Sequence, residues 1–381
     1  GEVYIGENIF KIEAGAYPMN FYPINVKDLE KGFKVILPDY KESFEYNDKS
    51  RKASIEILNT DCIKRLEEKD PSININFIDG PFVEIKDAGD HRFDIEFIDS
   101  SNKEIIYQTN IGNNSWARPS IKYYKNWEIK VTNTTTGKIF TNTFNLKNKN
   151  VLVSIDSSSL GDNIAWFPHI EEFSKINQCK VFVSTFKNDL FEKNYPDLTF
   201  VNPGKKVDDI YASYNVGWYY NGNEFDKNRN PRDFKNIPLQ ATTTDILGIT
   251  PTNLKPNIVT KSSTRPIDKK YVCIGVHSTA QAKYWNNPNG WQELTNWFIE
   301  KGYEVVILSS ENNGYMGNTH PIGAVSTIGP KTLDNAIRYL KNCDMFVGLG
   351  SGLSWLSWAL NTPTVIISGF SNPITEPVDS N

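Results

Sequence analysis

An alternation of short apolar strands with amphipathic helices starts near Val151 and starts again near Tyr271, and this repeat limits the possible folds more than any other feature. Apolar runs at 151–155, 180–184 and 199–201 are strand-length, and the intervals between them have room for helices, the first at 163–176. Parallel neighbours need a crossover that a helix supplies, so the pattern predicts a doubly wound parallel sheet. A further helix is predicted at 238–248, opened by a proline and closed by a glycine. Residues 251–266 are rich in Pro, Thr, Ser and Lys and read as a linker. Beyond them, predicted strands at 271–277, 304–309, 345–348 and 364–368 alternate with helices at 290–301, 331–342 and 352–360. Two such units leave a cleft at the carboxyl ends of their strands, where open α/β sheets bind ligands.

The first third has a different period. Residues 33–37, 73–77, 93–97 and 127–131 alternate apolar with polar, the signature of half-buried antiparallel strands, and 99–103 and 134–138 read as hairpin turns. The expected organisation is a β-rich domain over 1–148 used for docking or assembly, a Rossmann-like domain with its linker over 149–262, and a second Rossmann-like domain over 263–381. The net charge of −4 is mild and the basic residues are scattered, so no face suited to nucleic acid is expected. No apolar run is long enough to span a bilayer and no secretory signal stands at the start, which leads to an expected cytoplasmic location. Cys62, Cys179, Cys273 and Cys343 lie far apart without a CxxC pair and read as buried free thiols in a reducing compartment, with no metal cluster expected from them.

Four segments carry candidate chemistry. In Ser157-Ser158-Ser159-Leu160-Gly161-Asp162, between the first strand of a Rossmann-like unit and its helix, Asp162 is either a base facing the cleft or a first-turn carboxylate that serves the helix dipole. Ser159 and Gly161 belong to the same turn. The stretch 277–286 places the hydroxyls of Ser278 and Thr279 and the ammonium of Lys283 between a strand and a helix, either as a diphosphate seat or as a solvated loop. Trp285 either walls that pocket or packs in the core. The glycine-rich turn at 348–355, with Gly350, Ser351, Gly352 and Leu353, lets backbone amides at a helix start approach an anion. Glu311 follows a strand and is either a ligand for sugar or ribose hydroxyls or a solvated loop residue. The sequence has no DxD, no Walker A and no GxSxG. This inventory points to a metal-independent transferase that meets leaving-group charge with lysine and amides.

Taken together, SSSLGD at 157–162, HSTAQAKYW at 277–285 and GSGLSWLSWAL at 350–360 resemble the ADP-heptose heptosyltransferases, and more closely the bacterial autotransporter O-heptosyltransferases. The closer resemblance continues through AWFPHIEEF at 165–173, IPLQ at 237–240, GYMGN at 314–318 and ISGF at 367–370. It implies a GT-B fold with an extra N-terminal domain, and inverting transfer of heptose from ADP-heptose to serine hydroxyls of an adhesin, with homo-oligomers possible. By motif, Asp162 takes the place of the family's base, Lys283 that of its donor-phosphate lysine, and Ser278 and Thr279 that of its phosphate-loop hydroxyls, with Glu311 near a donor-contacting acid. Two positions depart from the lipopolysaccharide enzymes, which often carry aspartate at the place of Gly350 and histidine at that of Trp355. The autotransporter enzymes also carry a cysteine-rich C-terminal segment that binds iron. The chain ends at Asn381 before any such segment, so it is expected to be truncated, with iron confined to the missing part and no cofactor required in this chain. A lipid-linked or polysaccharide acceptor, or a non-catalytic nucleotide-sugar-binding module, are the alternative functions.

Overall fold

The computed structural model describes residues 71–261, 264–327 and 333–377, together with the backbone of four strands nearer the N-terminus. By its contacts the chain divides into two compact units, Gly1–Ser72 and Ile73–Asn381. In the first unit, β1 (Glu2–Ile5), β2 (Asn8–Lys11), β3 (Phe33–Leu37) and β4 (Ala53–Glu56) form an antiparallel sheet in the order β2-β1-β3-β4. The strand expected at 33–37 is β3. Cys62 lies outside the described residues.

The second unit opens with β5 (Ser72–Ile78), β6 (Phe82–Lys86), β7 (Phe93–Asp99), β8 (Glu104–Ile111), β9 (Ser115–Ala117), β10 (Trp127–Asn133) and β11 (Ile139–Thr143). Four of these make an antiparallel sheet, β11-β10-β7-β8. Along β10, Trp127, Ile129 and Val131 are buried while the residues between them are not, as the period of two requires. The turn between β7 and β8 closes where the amide of Lys103 donates to the carbonyl of Asp99 at 2.8 Å.

The first Rossmann-like lobe is built on β12 (Asn150–Ile155), β13 (Lys180–Ser184), β14 (Thr199–Val201) and β15 (Ala212–Val216). These strands run parallel, and β5 joins them alongside β15, giving the order β14-β13-β12-β15-β5-β6-β9. Strands from the region before residue 148 therefore extend the first lobe's sheet. The helix expected at 163–176 is two helices, α1 (Leu160–Trp166) and α2 (Pro168–Asn177). Pro168 has no amide hydrogen to continue α1, yet suits the first turn of a new helix. The helix expected between β13 and β14 is replaced by two short 3₁₀ turns at Asn188–Leu190 and Glu192–Asn194. There the side chain of Asn188 accepts from the amide of Thr185 at 3.0 Å and donates to the carbonyl of Val201 at 2.8 Å, holding a turn in place of a helix. A hairpin of β16 (Tyr220–Asn221) and β17 (Glu224–Phe225) and helix α3 (Ala241–Leu247) complete the lobe. The segment 251–261 has neither helix nor strand but buries Ile258 and Val259, so it is packed down.

The second lobe consists of β18 (Tyr271–Gly275), α4 (Gly290–Glu300), β19 (Glu304–Ile307), β20 (Val325–Ser326), α5 (Leu333–Asn342), β21 (Met345–Leu349), α6 (Gly352–Ala359) and β22 (Thr364–Ile367). Its sheet is parallel throughout, in the order β20-β19-β18-β21-β22. Every residue of β18 is buried, as expected of a central parallel strand covered on both faces. Both lobes have their first strand, β12 and β18, next to the point where the strand order reverses, which is where Brändén's rule places a ligand. Among the described residues no helix is long and apolar enough to cross a membrane.

Candidate active site

A cavity of about 650 Å³ lies between the two lobes and is lined from both. On the first-lobe side the chain leaves β12 and turns into α1, and the turn is held by its own polar groups. Asn163, fully buried, donates to the carbonyls of Ser157 and Ser159 at 2.9 and 2.7 Å. Ser157 Oγ donates to Asp162 Oδ2 at 2.7 Å. The Asp162 carboxyl is pushed above the usual carboxylate range by burial, opposed by the Ser157 hydrogen bond and the charge of Lys283.

The second-lobe side comes from loops after β18, β19, β21 and β22 and from the start of α5. Ser278 is buried, Thr279 exposed, and both line the cavity with Lys283. Lys283 lies on a 3₁₀ turn, Gln281–Lys283, and its Nζ donates to the carbonyl of Gly350 at 3.1 Å. That bond ties the loop after β18 to the loop after β21. Behind them, His277 Nδ1 and Ser309 Oγ are 2.7 Å apart, and burial, then the nearby His320, hold the His277 imidazole below its usual range. The amide of Glu311 donates to Ser309 Oγ at 2.9 Å, and its carboxylate accepts from Ser310 Oγ at 2.8 Å.

The lobes touch beside the cavity at the starts of α1 and α6. A Cβ on Gly352 would lie 2.8 Å from Leu160 Cβ and 3.3 Å from the Gly161 amide nitrogen, and one on Gly161 would lie 3.0 Å from Trp355 Cδ1. A side chain at position 352 would meet Leu160 and the Gly161 backbone, which accounts for glycine there, and one at position 161 would crowd the Trp355 ring. The amides at the start of α6 are therefore brought close to the first lobe, and an anion in the cavity lies near the positive end of that helix.

Of the residues singled out in the sequence, Ser159, Gly161, Asp162, Ser278, Thr279, Lys283, Glu311, Gly350, Ser351, Gly352 and Leu353 all line this one cavity. Trp285 does not. Its ring packs over Gly290 at the start of α4 and meets Trp291 edge-on, with centroids 5.2 Å apart, so it takes the core-packing alternative. The aromatic wall is instead Trp355 from α6 and Trp218 from the loop after β15. Trp218, Lys187 and Glu376 join the site from outside the segments marked in the sequence, and Trp355 stands where the lipopolysaccharide enzymes often carry histidine. Trp355 was legible from its place one turn into the helix behind the glycine loop, whereas Glu376 sits in a proline-containing tail with no periodicity to mark it.

The profile of the family described as glycosyltransferase family 9 (heptosyltransferase) matches residues 240–381. The autotransporter heptosyltransferase Aah of Escherichia coli is 37% identical over 291 residues, which covers 74% of this chain and 73% of Aah. The crystal structure of TibC, described as a bacterial iron-containing dodecameric glycosyltransferase from enterotoxigenic E. coli H10407, superposes with a TM-score of 0.73 at 32% identity over 80% of each chain. TibC has also been crystallised in complex with ADP-D-β-D-heptose. An inactive autotransporter heptosyltransferase, BimC of Burkholderia thailandensis, is 29% identical over 63% of this chain and 57% of BimC.

Iron in TibC overturns two expectations drawn from the sequence: that the chemistry is metal-independent, and that iron belongs only to a segment this chain lacks. The absence of DxD argued only against a carboxylate-held divalent ion on the donor phosphates, and does not bear on iron held elsewhere. Among the described residues no three His, Cys, Asp or Glu side chains gather to hold a metal ion. Cys179, Cys273 and Cys343 are buried free thiols, and the Cys273 thiol is pushed up by burial and by its hydrogen bond with Cys343. These described residues do not fit an iron site. The lobes, the shared cavity and identity over most of the chain agree, and the protein belongs to the bacterial autotransporter heptosyltransferases, glycosyltransferases of the GT-B architecture.

Proposed function

We propose that this chain transfers heptose from ADP-heptose to serine hydroxyls of an autotransporter-type protein, in a single displacement that inverts the anomeric carbon. The observation that supports this most is that Asp162 and Lys283, one from each lobe, line the same cavity. Asp162 takes the proton of the acceptor hydroxyl as its oxygen attacks the anomeric carbon. The bond from that carbon to the diphosphate oxygen breaks, and ADP leaves with the bonding pair. Lys283 and the amides of Ser351, Gly352 and Leu353 meet the charge that grows on the diphosphate. Ser278 and Thr279 donate to phosphate oxygens, Glu311 accepts from ribose or sugar hydroxyls, and Ser159 and Gly161 shape the acceptor side. A carboxyl raised by burial is a stronger base, provided it stays ionised, and Ser157 and Lys283 act in that direction.

In this reading residues 149–262 carry the acceptor lobe, 263–381 the nucleotide-sugar lobe, and 1–148 a surface for docking or assembly. Homo-oligomerisation as described for TibC belongs to the same reading. A cytoplasmic setting fits the buried free thiols and the nucleotide donor.

The test is intact-mass and peptide analysis of an autotransporter passenger incubated with the protein and ADP-heptose. The expected result is the addition of heptosyl groups at serines, with release of ADP. BimC, described as inactive, favours one second reading, a module that binds the donor without transfer. ADP and ADP-heptose binding with no mass gain on any passenger, and no release of ADP, would establish that reading against ours.

A further inference from the structure

Glu376 lies just past β22, beyond a 3₁₀ turn (Pro373–Thr375) that Asn372 caps by accepting from the amide of Ile374 at 3.2 Å. The turn carries the half-buried carboxylate back over the glycine loop, into the cavity shared by Asp162 and Lys283. There it fills the space that a side chain on Gly350 would need. A Cβ built on Gly350 would run into Glu376 Oε1 and lie 2.9 Å from its Cδ. The carbonyl of the same glycine accepts from Lys283 Nζ at 3.1 Å. One backbone position thus has the ammonium on its carbonyl and the carboxylate against its α-carbon. Burial raises the Glu376 carboxyl above its usual range, opposed by a hydrogen bond from Ser371 and by the charge of Lys283.

Glu376 stands beside the lysine that faces the diphosphate, but a carboxylate repels phosphate oxygens, so its own partners are groups that donate hydrogen. What a half-buried carboxylate accepts readily is hydroxyl hydrogen, and two oxygens in one plane suit a pair of neighbouring hydroxyls. We propose that Glu376 reads the sugar of the donor: its carboxylate accepts hydrogen bonds from hydroxyls of the glycosyl group, in space that Gly350 leaves free. This inference rests on the donor being a nucleotide sugar, as proposed above. It assigns sugar selectivity to the tail after β22 and not to the glycine loop itself.

Glu376→Gln keeps the shape and removes the charge, and calorimetry with ADP and with ADP-heptose separates the two ends of the donor. The expected result is ADP affinity within about twofold of wild type and ADP-heptose affinity reduced about tenfold or more, the scale of a lost charge-assisted bond. Equal losses for both ligands would place Glu376 at the nucleotide end and overturn the proposal, as would an unchanged preference for ADP-heptose. A second set of variants tests the shared space. Gly350→Ala should weaken ADP-heptose in the wild-type background and cost little beside Glu376→Gly, a strongly non-additive pair. Additive losses would overturn the steric part. A wild-type protein that binds neither ADP nor ADP-heptose would sink the proposed function and this inference together, whereas a wild-type affinity for ADP-heptose that survives Glu376→Gln sinks this inference alone.

Discussion

On the first-lobe wall of the cavity, Asp162 is fixed by residues within six positions of it: Ser157 bonds its carboxylate, and Asn163 bonds two carbonyls of the same turn. On the second-lobe wall, loops after several different strands contribute, tied to one another by Lys283 on the carbonyl of Gly350 and by the His277–Ser309 contact. One wall is made by local sequence, the other by sheet topology. The difference suits their proposed tasks. A base must be placed accurately before the acceptor arrives, whereas a diphosphate brings its own charge and can draw donors toward it.

The sharpest challenge to this contrast is Asp162→Asn. Loss of a general base is expected to lower turnover by about 10²- to 10⁴-fold, with ADP affinity intact by calorimetry. The same variant has a predicted effect on stability. A carboxyl raised in the fold contributes stability below its unfolded pKa and loses it as pH rises through the folded value. At neutral pH the ionised group therefore opposes folding, and Asp162→Asn should melt at a higher temperature than wild type. A drop in both melting temperature and ADP binding would mean that Asp162 is mainly structural.

Lys283→Ala tests the other wall and should reduce kcat/KM by about 10²-fold, with weaker ADP binding as well, since the ammonium meets charge in both ground and transition states. Gly352→Val probes the junction of the two walls. Its side chain would meet Leu160, and overpacking of about 1–3 kcal/mol should appear in chemical denaturation together with a partial loss of turnover. If stability and rate are both untouched, the lobes do not meet as described.

Ser157→Ala removes a bond that lowers the Asp162 carboxyl, so the acid limb of the pH–rate profile should move to higher pH while the rate on the alkaline side changes by less than about threefold. A shift toward lower pH would contradict the base assignment. The smallest effect on catalysis is expected from Trp285→Ala. The ring packs on Gly290 and Trp291, outside the cavity, so the variant should lose about 2 kcal/mol of stability yet keep kcat/KM within about twofold.

The contrast between the walls also governs what the sequence could reveal. The strands at 151–155, 180–184 and 199–201 were legible as short, largely apolar runs, and each coincides with a strand of the first lobe within a residue. Ser159, Gly161 and Asp162 were legible because their loop is closed by its own residues. Trp285 was not, because an aromatic next to a phosphate-type loop packs inward or lines a pocket with the same local sequence, and only the fold of α4 decides. β15 escaped notice because Ala212-Ser213-Tyr214-Asn215-Val216 mixes small and polar residues, even though four of the five are buried. The joining of β5 to the first lobe's sheet was hidden for another reason: Ala212 pairs with Phe77 across more than a hundred residues, and no local pattern encodes a partner so distant. The place of Glu376 over Gly350 is of the same kind.

The close approach of Gly161 and Gly352 has the geometry of a fulcrum. It sits one residue from Asp162 in sequence and in the loop that Lys283 grips, so any rocking of the lobes that preserves it swings the far rims widely and the reacting pair little.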